Sequence, residues 1–163
     1  MTEPKTTYTL AEFKVLLPAK GRLVGLDVGT ETIGIAVSDA SRMIASPDLT
    51  IYRKKWSADV AALSAMMEGN EIGGFVVGYP LNMDGTSGPR AQATRAFARN
   101  LQSQFPLPVL LWDERLSTAA VTRMMIDEMD INRKRRGELV DKLAASYILQ
   151  GVLDALGTEG GLH

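Results

Sequence analysis

Apolar and polar positions follow two rhythms along this chain. Leu23-Val24-Gly25-Leu26 and Ile33-Gly34-Ile35-Ala36-Val37 are apolar at consecutive positions, as in strands buried on both faces. They predict strands over about 22–28 and 32–38, joined by a tight turn. A third strand is expected over 43–52, where Pro47 points to an edge or a bulge. Short links between three successive strands imply an antiparallel meander. The rhythm then changes. Val60, Leu63, Met66 and Met67 recur at helical spacing behind Ser57, a candidate N-cap, and Gly69-Asn70 closes that helix. Residues 75–78 read as a buried strand, followed by a turn-rich loop over 79–89 and a helix over about 90–104. Another buried strand is expected at 109–112, then a helix capped by Ser117 or Thr118 and running to about 128. A basic linker, 132–137, leads to a last helix over about 138–156. Ahead of all these, Leu10 begins a short helix that stops before Pro18. The polar start, to about residue 8, and the glycine-rich end from about 157 are expected to lack fixed structure.

The order is three strands, then helix–strand–helix–strand, then two helices. Strand–helix–strand units give parallel pairs through right-handed crossovers. The expected fold is therefore α/β: a mixed sheet, part antiparallel meander and part parallel, flanked by helices. With 163 residues and no repeat or interdomain linker, one domain spanning 1–163 is expected.

Composition narrows the chemistry. A net charge of −1 removes any global basic field, so a nucleic-acid partner has to be met by a local patch. Without cysteine there are no disulfides, zinc thiolates or thiol nucleophiles. The one histidine is His163, the last residue, which argues against a histidine triad or zinc site. Acid–base and metal chemistry thus fall to carboxylates, whose oxygens favour Mg²⁺ or Mn²⁺. No apolar run is long enough to span a bilayer, and the polar start lacks a signal-peptide core. No membrane partner and a cytoplasmic location are expected.

Asp27 is the first candidate. Aspartate is depleted in strands and costly to bury alone, yet this one stands near the end of an apolar strand. It can ligate a metal, or it can simply accept N–H bonds in the turn. Gly29 and Gly34 beside it allow positive φ or close approach of another backbone. Ligands collect at the carboxyl ends of parallel strands, where Asp113-Glu114 follows the strand at 109–112. Strand alternation lets only one of that pair point into a given site. Asp141 heads the apolar stripe of the last helix, whose small Ala144 and Ala145 permit close packing on the sheet. On its own, an aspartate at the margin of a buried helical face is more often capped or solvated than catalytic. Three acids from distant segments can converge as a two-metal phosphodiester site needs, with ions ~4 Å apart. Asn82 and Thr86 can bond phosphate or sugar, or merely shape the loop. Arg115 can hold phosphate bidentately or pair with Asp113. Arg133, Lys134, Arg135 and Arg136 form the dense basic run, next to the helix that carries Asp141, and suit a phosphate backbone entering there. Met66, Met67, Met124 and Met125 are core filler at helical spacing.

Wording adds what spacing cannot. Val76-Val77-Gly78-Tyr79-Pro80-Leu81-Asn82-Met83-Asp84-Gly85-Thr86 resembles the VVGLPLNMDGT loop of the YqgF/RuvX family, Holliday junction resolvase-like proteins described as pre-16S rRNA nucleases. Asp113-Glu114-Arg115-Leu116-Ser117-Thr118 matches its DERLST. Asp27-Val28-Gly29-Thr30 with Ile33-Gly34-Ile35-Ala36-Val37 resembles its first strand pair, and Asp141-Lys142-Leu143-Ala144-Ala145 its last helix. The likeness covers about 22–153. It implies an RNase H-like fold and a divalent-metal-dependent nuclease with Asp27, Glu114 and Asp141 as catalytic and metal-binding acids. Glu114 is preferred over Asp113 for its longer reach over the strand end. The implied role is trimming the 5′ end of the small-subunit rRNA precursor, with ribosomal particles as further partners and DNA or junctions as other substrates. One alternative is a catalytically inactive nucleic-acid-binding module. Another is an actin-like-fold ATP-binding protein, suggested by Asp27-Val28-Gly29-Thr30, but that fold closes two such domains around nucleotide.

Overall fold

The computed structural model describes residues 6–82, 84–116 and 133–161, and the side chains of all of these except 133–137 and 158–161. The expected helix at 117–128 lies outside them. Thr6–Thr7 forms β1, Leu10–Leu16 α1, Arg22–Val28 β2, Thr32–Ser38 β3 and Ala45–Tyr52 β4. Then come α2 (Trp56–Met67), β5 (Ile72–Tyr79), α3 (Pro89–Gln104), β6 (Val109–Asp113), a 3₁₀ turn (Glu114–Leu116) and α4 (Arg133–Gly161).

The strands form one six-stranded sheet in the order β1-β6-β5-β2-β3-β4. β2, β3 and β4 are the antiparallel meander; β2, β5 and β6 run parallel. Pro47 sits where the β3–β4 register shifts, on the edge strand β4, where a missing N–H costs no internal ladder bond. Alternation sorts the side chains onto two faces. Val24, Leu26, Ile33, Phe75, Val77 and Leu111 point to α2 and α3. Leu23, Ala36, Val76 and Leu110 point to α1 and α4, meeting Phe13, Ala144, Ala145, Ile148, Leu149 and Val152.

Four expectations need correction. Thr6 and Thr7 are not loose: they pair in parallel with Val109 and Leu110, and the buried Thr7 hydroxyl donates to the Val109 carbonyl. The exposed edge of β6 offers ladder partners that a polar sequence does not reveal. Ser57 does not cap α2; the helix begins at Trp56 with Lys55 at its N-cap, without a side-chain capping bond. The basic stretch is not a linker, because α4 already begins at Arg133. Lys and Arg are good helix formers, and one internal glycine, Gly137, is a tolerable cost to a helix this long. For the same reason of length, α4 carries on through the glycines to Gly161.

Candidate active site

The carboxyl ends of β2, β5 and β6 lie together at one end of the sheet, since the three strands are parallel. Asp27 is the penultimate residue of β2 and is 7% exposed. Alternation from Leu23 and Gly25 turns it to the α4 face. Its cross-strand partner on β3 is Gly34. A Cβ on Gly34 would stand 2.1 Å from the Asp141 carbonyl oxygen and 2.8 Å from the Lys142 nitrogen. The backbone of α4 therefore rests directly on the sheet beside Asp27. Gly25 repeats this contact further along: a Cβ there would lie 2.9 Å from the Ala145 carbonyl oxygen. These glycines serve close approach. Among the described residues, positive φ at glycine occurs at Gly21, Gly69 and Gly85, not at Gly29 or Gly34.

Asp141 heads the buried stripe Ala144, Ala145, Ile148, Leu149, Val152 of α4, at the i, i+3, i+4 spacing that keeps one helix face on the sheet. Its Oδ2 accepts a hydrogen bond from the Thr32 hydroxyl. Thr32, two residues before Gly34, is on the same face. Thr32 is the contributor the sequence left unnamed; its place in the alternation from Gly34 was the available signal.

Alternation also separates Asp113 from Glu114. Trp112 packs on the α4 side, whereas Asp113 pairs with Tyr79 of the opposite face. Asp113 is gripped by Arg115, whose Nε lies 3.0 Å from Oδ1 and whose second nitrogen lies 2.6 Å from Oδ2. These bonds hold the Asp113 carboxyl below the usual carboxylate range and push the guanidinium up. Glu114 opens the 3₁₀ turn, and its Oε1 is buried. It lines a cavity of about 360 Å³ with Pro80, Leu81, Asn82, Arg90 and Arg115.

The loop after β5 lies at the Asp27 end of the sheet, as expected. Asn82 and Thr86 fold it: the Asn82 amide donates to the Thr86 hydroxyl at 3.0 Å, and Thr86 donates to Asp84 through both its N–H and its hydroxyl. Turn chemistry is thus the part of their reading that the geometry displays, with Asn82 also at the cavity wall. Gly85 takes φ +86 at the loop tip, with Arg115 alongside. The side chains of Arg133, Lys134, Arg135 and Arg136 lie outside those described; their backbone forms the first turns of α4, leading to Asp141. Among the described residues, no three acidic or metal-ligating side chains stand close enough together to form a finished ion cage. Asp27 and Asp141 share one face, and Glu114 stands at the same end of the sheet.

Residues 21–155 match a family model described as RuvX: Holliday junction resolvase. A "Putative pre-16S rRNA nuclease" of Rhodobacter capsulatus is 57% identical over 152 residues, covering 93% of this chain and 95% of that protein. A relative of the same name from Sphingopyxis alaskensis is also 57% identical, over 92% of this chain and 97% of its own. Among solved structures, T. thermophilus RuvC in complex with Holliday junction substrate matches with TM-score 0.50 at 12% identity, covering 85% of this chain and 97% of that one. At that identity the likeness concerns the fold, which is RNase H-like.

Proposed function

The chain belongs to the RuvX family, and from that premise we propose that it is a nuclease whose acidic set is Asp27, Glu114 and Asp141. Its relatives' name makes the precursor of 16S rRNA the favoured substrate, in the cytoplasm where ribosomes are assembled. One observation carries the assignment of the acids. The backbone of α4 sits on Gly34, so Asp141 comes down on the face and at the end of the sheet where Asp27 points.

The donor set fits a hard divalent ion, since Asp27, Glu114 and Asp141 offer carboxylate oxygens and Thr32 a hydroxyl. Such an ion, when bound, lowers the pKa of the attacking water and stabilises charge on the phosphoryl and leaving oxygens. The chain's own groups do the positioning. Thr32 fixes one oxygen of Asp141. The sheet fixes Asp27 through its backbone ladder to β3. Asp113 holds Arg115 at the rim of the cavity beside Glu114, where a guanidinium favours a phosphate. Asn82 and Thr86 shape the loop that walls the cavity, and the basic run at the head of α4 attracts the nucleic-acid backbone.

The test is a cleavage assay with purified protein on matched rRNA-precursor, DNA and four-way-junction substrates, in Mn²⁺, Mg²⁺ or EDTA. Cleavage of the precursor with either ion and none in EDTA is expected. Binding that is indifferent to metal, without cleavage of any substrate, contradicts the proposal.

A further inference from the structure

The cavity beside Glu114 has features that cleavage of a phosphodiester does not itself require. It is a recess of about 360 Å³ between the loop after β5, the first residues of α3 and the turn after β6. Pro80, Leu81 and Pro89 give it an apolar lining, and Asn82, Arg90 and Arg115 a polar one, the Arg115 guanidinium being paired with Asp113. Small-molecule sites run from ~300 to 1,000 Å³, so this recess is sized for one nucleotide and not for a base pair. A base lying against prolines and a leucine, with its phosphate met by arginine, uses each of these surfaces. Asn82, whose amide nitrogen also donates to the Thr86 hydroxyl, brings to the recess a polar group that can meet the polar edge of such a base.

We propose that this recess is a subsite for one unpaired nucleotide next to the scissile phosphate, and that Arg90 is its phosphate-holding residue. The proposal rests on the nuclease reading above, because Glu114 joins the recess to the acidic set. A base inside a duplex or a stacked junction arm has to be unstacked before it can enter, which costs a few kcal/mol and costs least in a strand that is already single. The subsite therefore makes the protein prefer single-stranded segments. Among the described residues no aromatic side chain lines the recess, so apolar contact and the arginines hold the nucleotide in place of ring stacking.

Binding and cleavage together test this. Fluorescence anisotropy in EDTA compares single-stranded RNA, single-stranded DNA and a blunt duplex of matched sequence on the full chain, Arg90→Ala and Leu81→Trp. Leu81 is half-buried and also packs against the core on the α2 and α3 side, so the melting temperature of this variant is read beside its binding, and a melting temperature near wild type ties its loss of preference to the recess. Wild-type protein is expected to bind single strands about tenfold more tightly than duplex. Arg90→Ala is expected to remove most of that preference and to lower the salt slope for single strands by about one. Leu81→Trp is expected to remove the preference while leaving the salt slope in place. The RNA and DNA arms show whether the subsite reads the sugar. Equal wild-type affinity for single strand and duplex, or unaltered single-strand binding in both variants, overturns the subsite. A parallel cleavage assay in Mn²⁺ keeps the two readings apart: cleavage that persists alongside unaltered variants refutes the subsite alone, and absence of cleavage with the binding preference intact refutes the nuclease reading alone.

Discussion

The two faces of the sheet are packed by opposite means. Toward α2 and α3 the space is filled by large side chains, with Phe75, Leu26, Ile33, Leu63 and Leu101 all fully buried. Toward α4 the sheet presents Gly25 and Gly34 to the helix backbone and Gly78 to the Ile148 side chain, and the helix answers with the small Ala144 and Ala145, so at the first two positions backbone meets backbone. Filling a gap with side chains needs volume and tolerates small adjustments. Seating a helix on glycine fixes its height and its register together. The first face supplies burial. The second supplies burial and also a position, because the residue seated over Gly34 is Asp141.

Substitution on the first face has the largest expected effect on stability. Phe75→Ala removes a fully buried ring and is expected to cost ~3–5 kcal/mol, measured by urea unfolding. Cleavage per folded molecule should stay near wild type, because no acid depends on Phe75. Gly34→Ala is the counterpart on the second face. Its new methyl group meets helix backbone, which cannot rotate away. Overpacking of this kind costs ~1–3 kcal/mol, less than the lost phenylalanine. Cleavage should nonetheless fall by ~10²-fold, as a displacement near 1 Å at a reacting centre can do. If Gly34→Ala loses activity only in proportion to its loss of folded protein, the helix height carries no catalytic meaning.

A smaller effect separates a structural acid from the acids of the site. Asp39 lies at the far end of β3, where its carboxylate accepts from Ser41, Ile44 and Met43 and is held at about 2. A carboxyl depressed in the folded state stabilises above its ordinary pKa of 3.8, and that contribution disappears as pH falls through about 2. Asp39→Asn should therefore melt earlier than wild type at neutral pH, with the gap closing between about pH 4 and pH 2, and should cleave normally. Smaller still is replacement of Arg133, Lys134, Arg135 and Arg136 by alanine. Stability should change by no more than ~0.5 kcal/mol, while the slope of log K against log salt for nucleic acid becomes shallower. An unchanged slope removes this run from the binding surface.

Strand and helix order were legible because buried runs and helical stripes are local patterns. The meander, the parallel strands and the close packing permitted by Ala144 and Ala145 all follow from them. What the sequence hid depends on partners far along the chain. Thr7 reads as a polar terminus until the open edge of β6 stands beside it. Thr32 reads as a strand residue until Asp141 comes down on it, 109 positions away in sequence. Arg90 reads as the start of a helix until the loop after β5 is seen to line the same recess. The preference for Glu114 over Asp113 rested on side-chain reach; the grip of Arg115 on Asp113 appears only in three dimensions.

Asp141→Asn changes shape least of all and tests the acidic site most directly. Asparagine can still accept the Thr32 hydroxyl bond, so the fold has little to lose. If the proposed acidic set is right, removing one of its negative charges relieves repulsion. The measurement is turnover and melting temperature of Asp141→Asn beside wild type, each with and without Mn²⁺. The expected result is no detectable cleavage, a melting temperature in EDTA equal to or slightly above wild type, and a smaller rise on adding Mn²⁺, because a weaker ligand set gains less by mass action. Full turnover in Asp141→Asn, with the same Mn²⁺ response as wild type, contradicts the three-acid site.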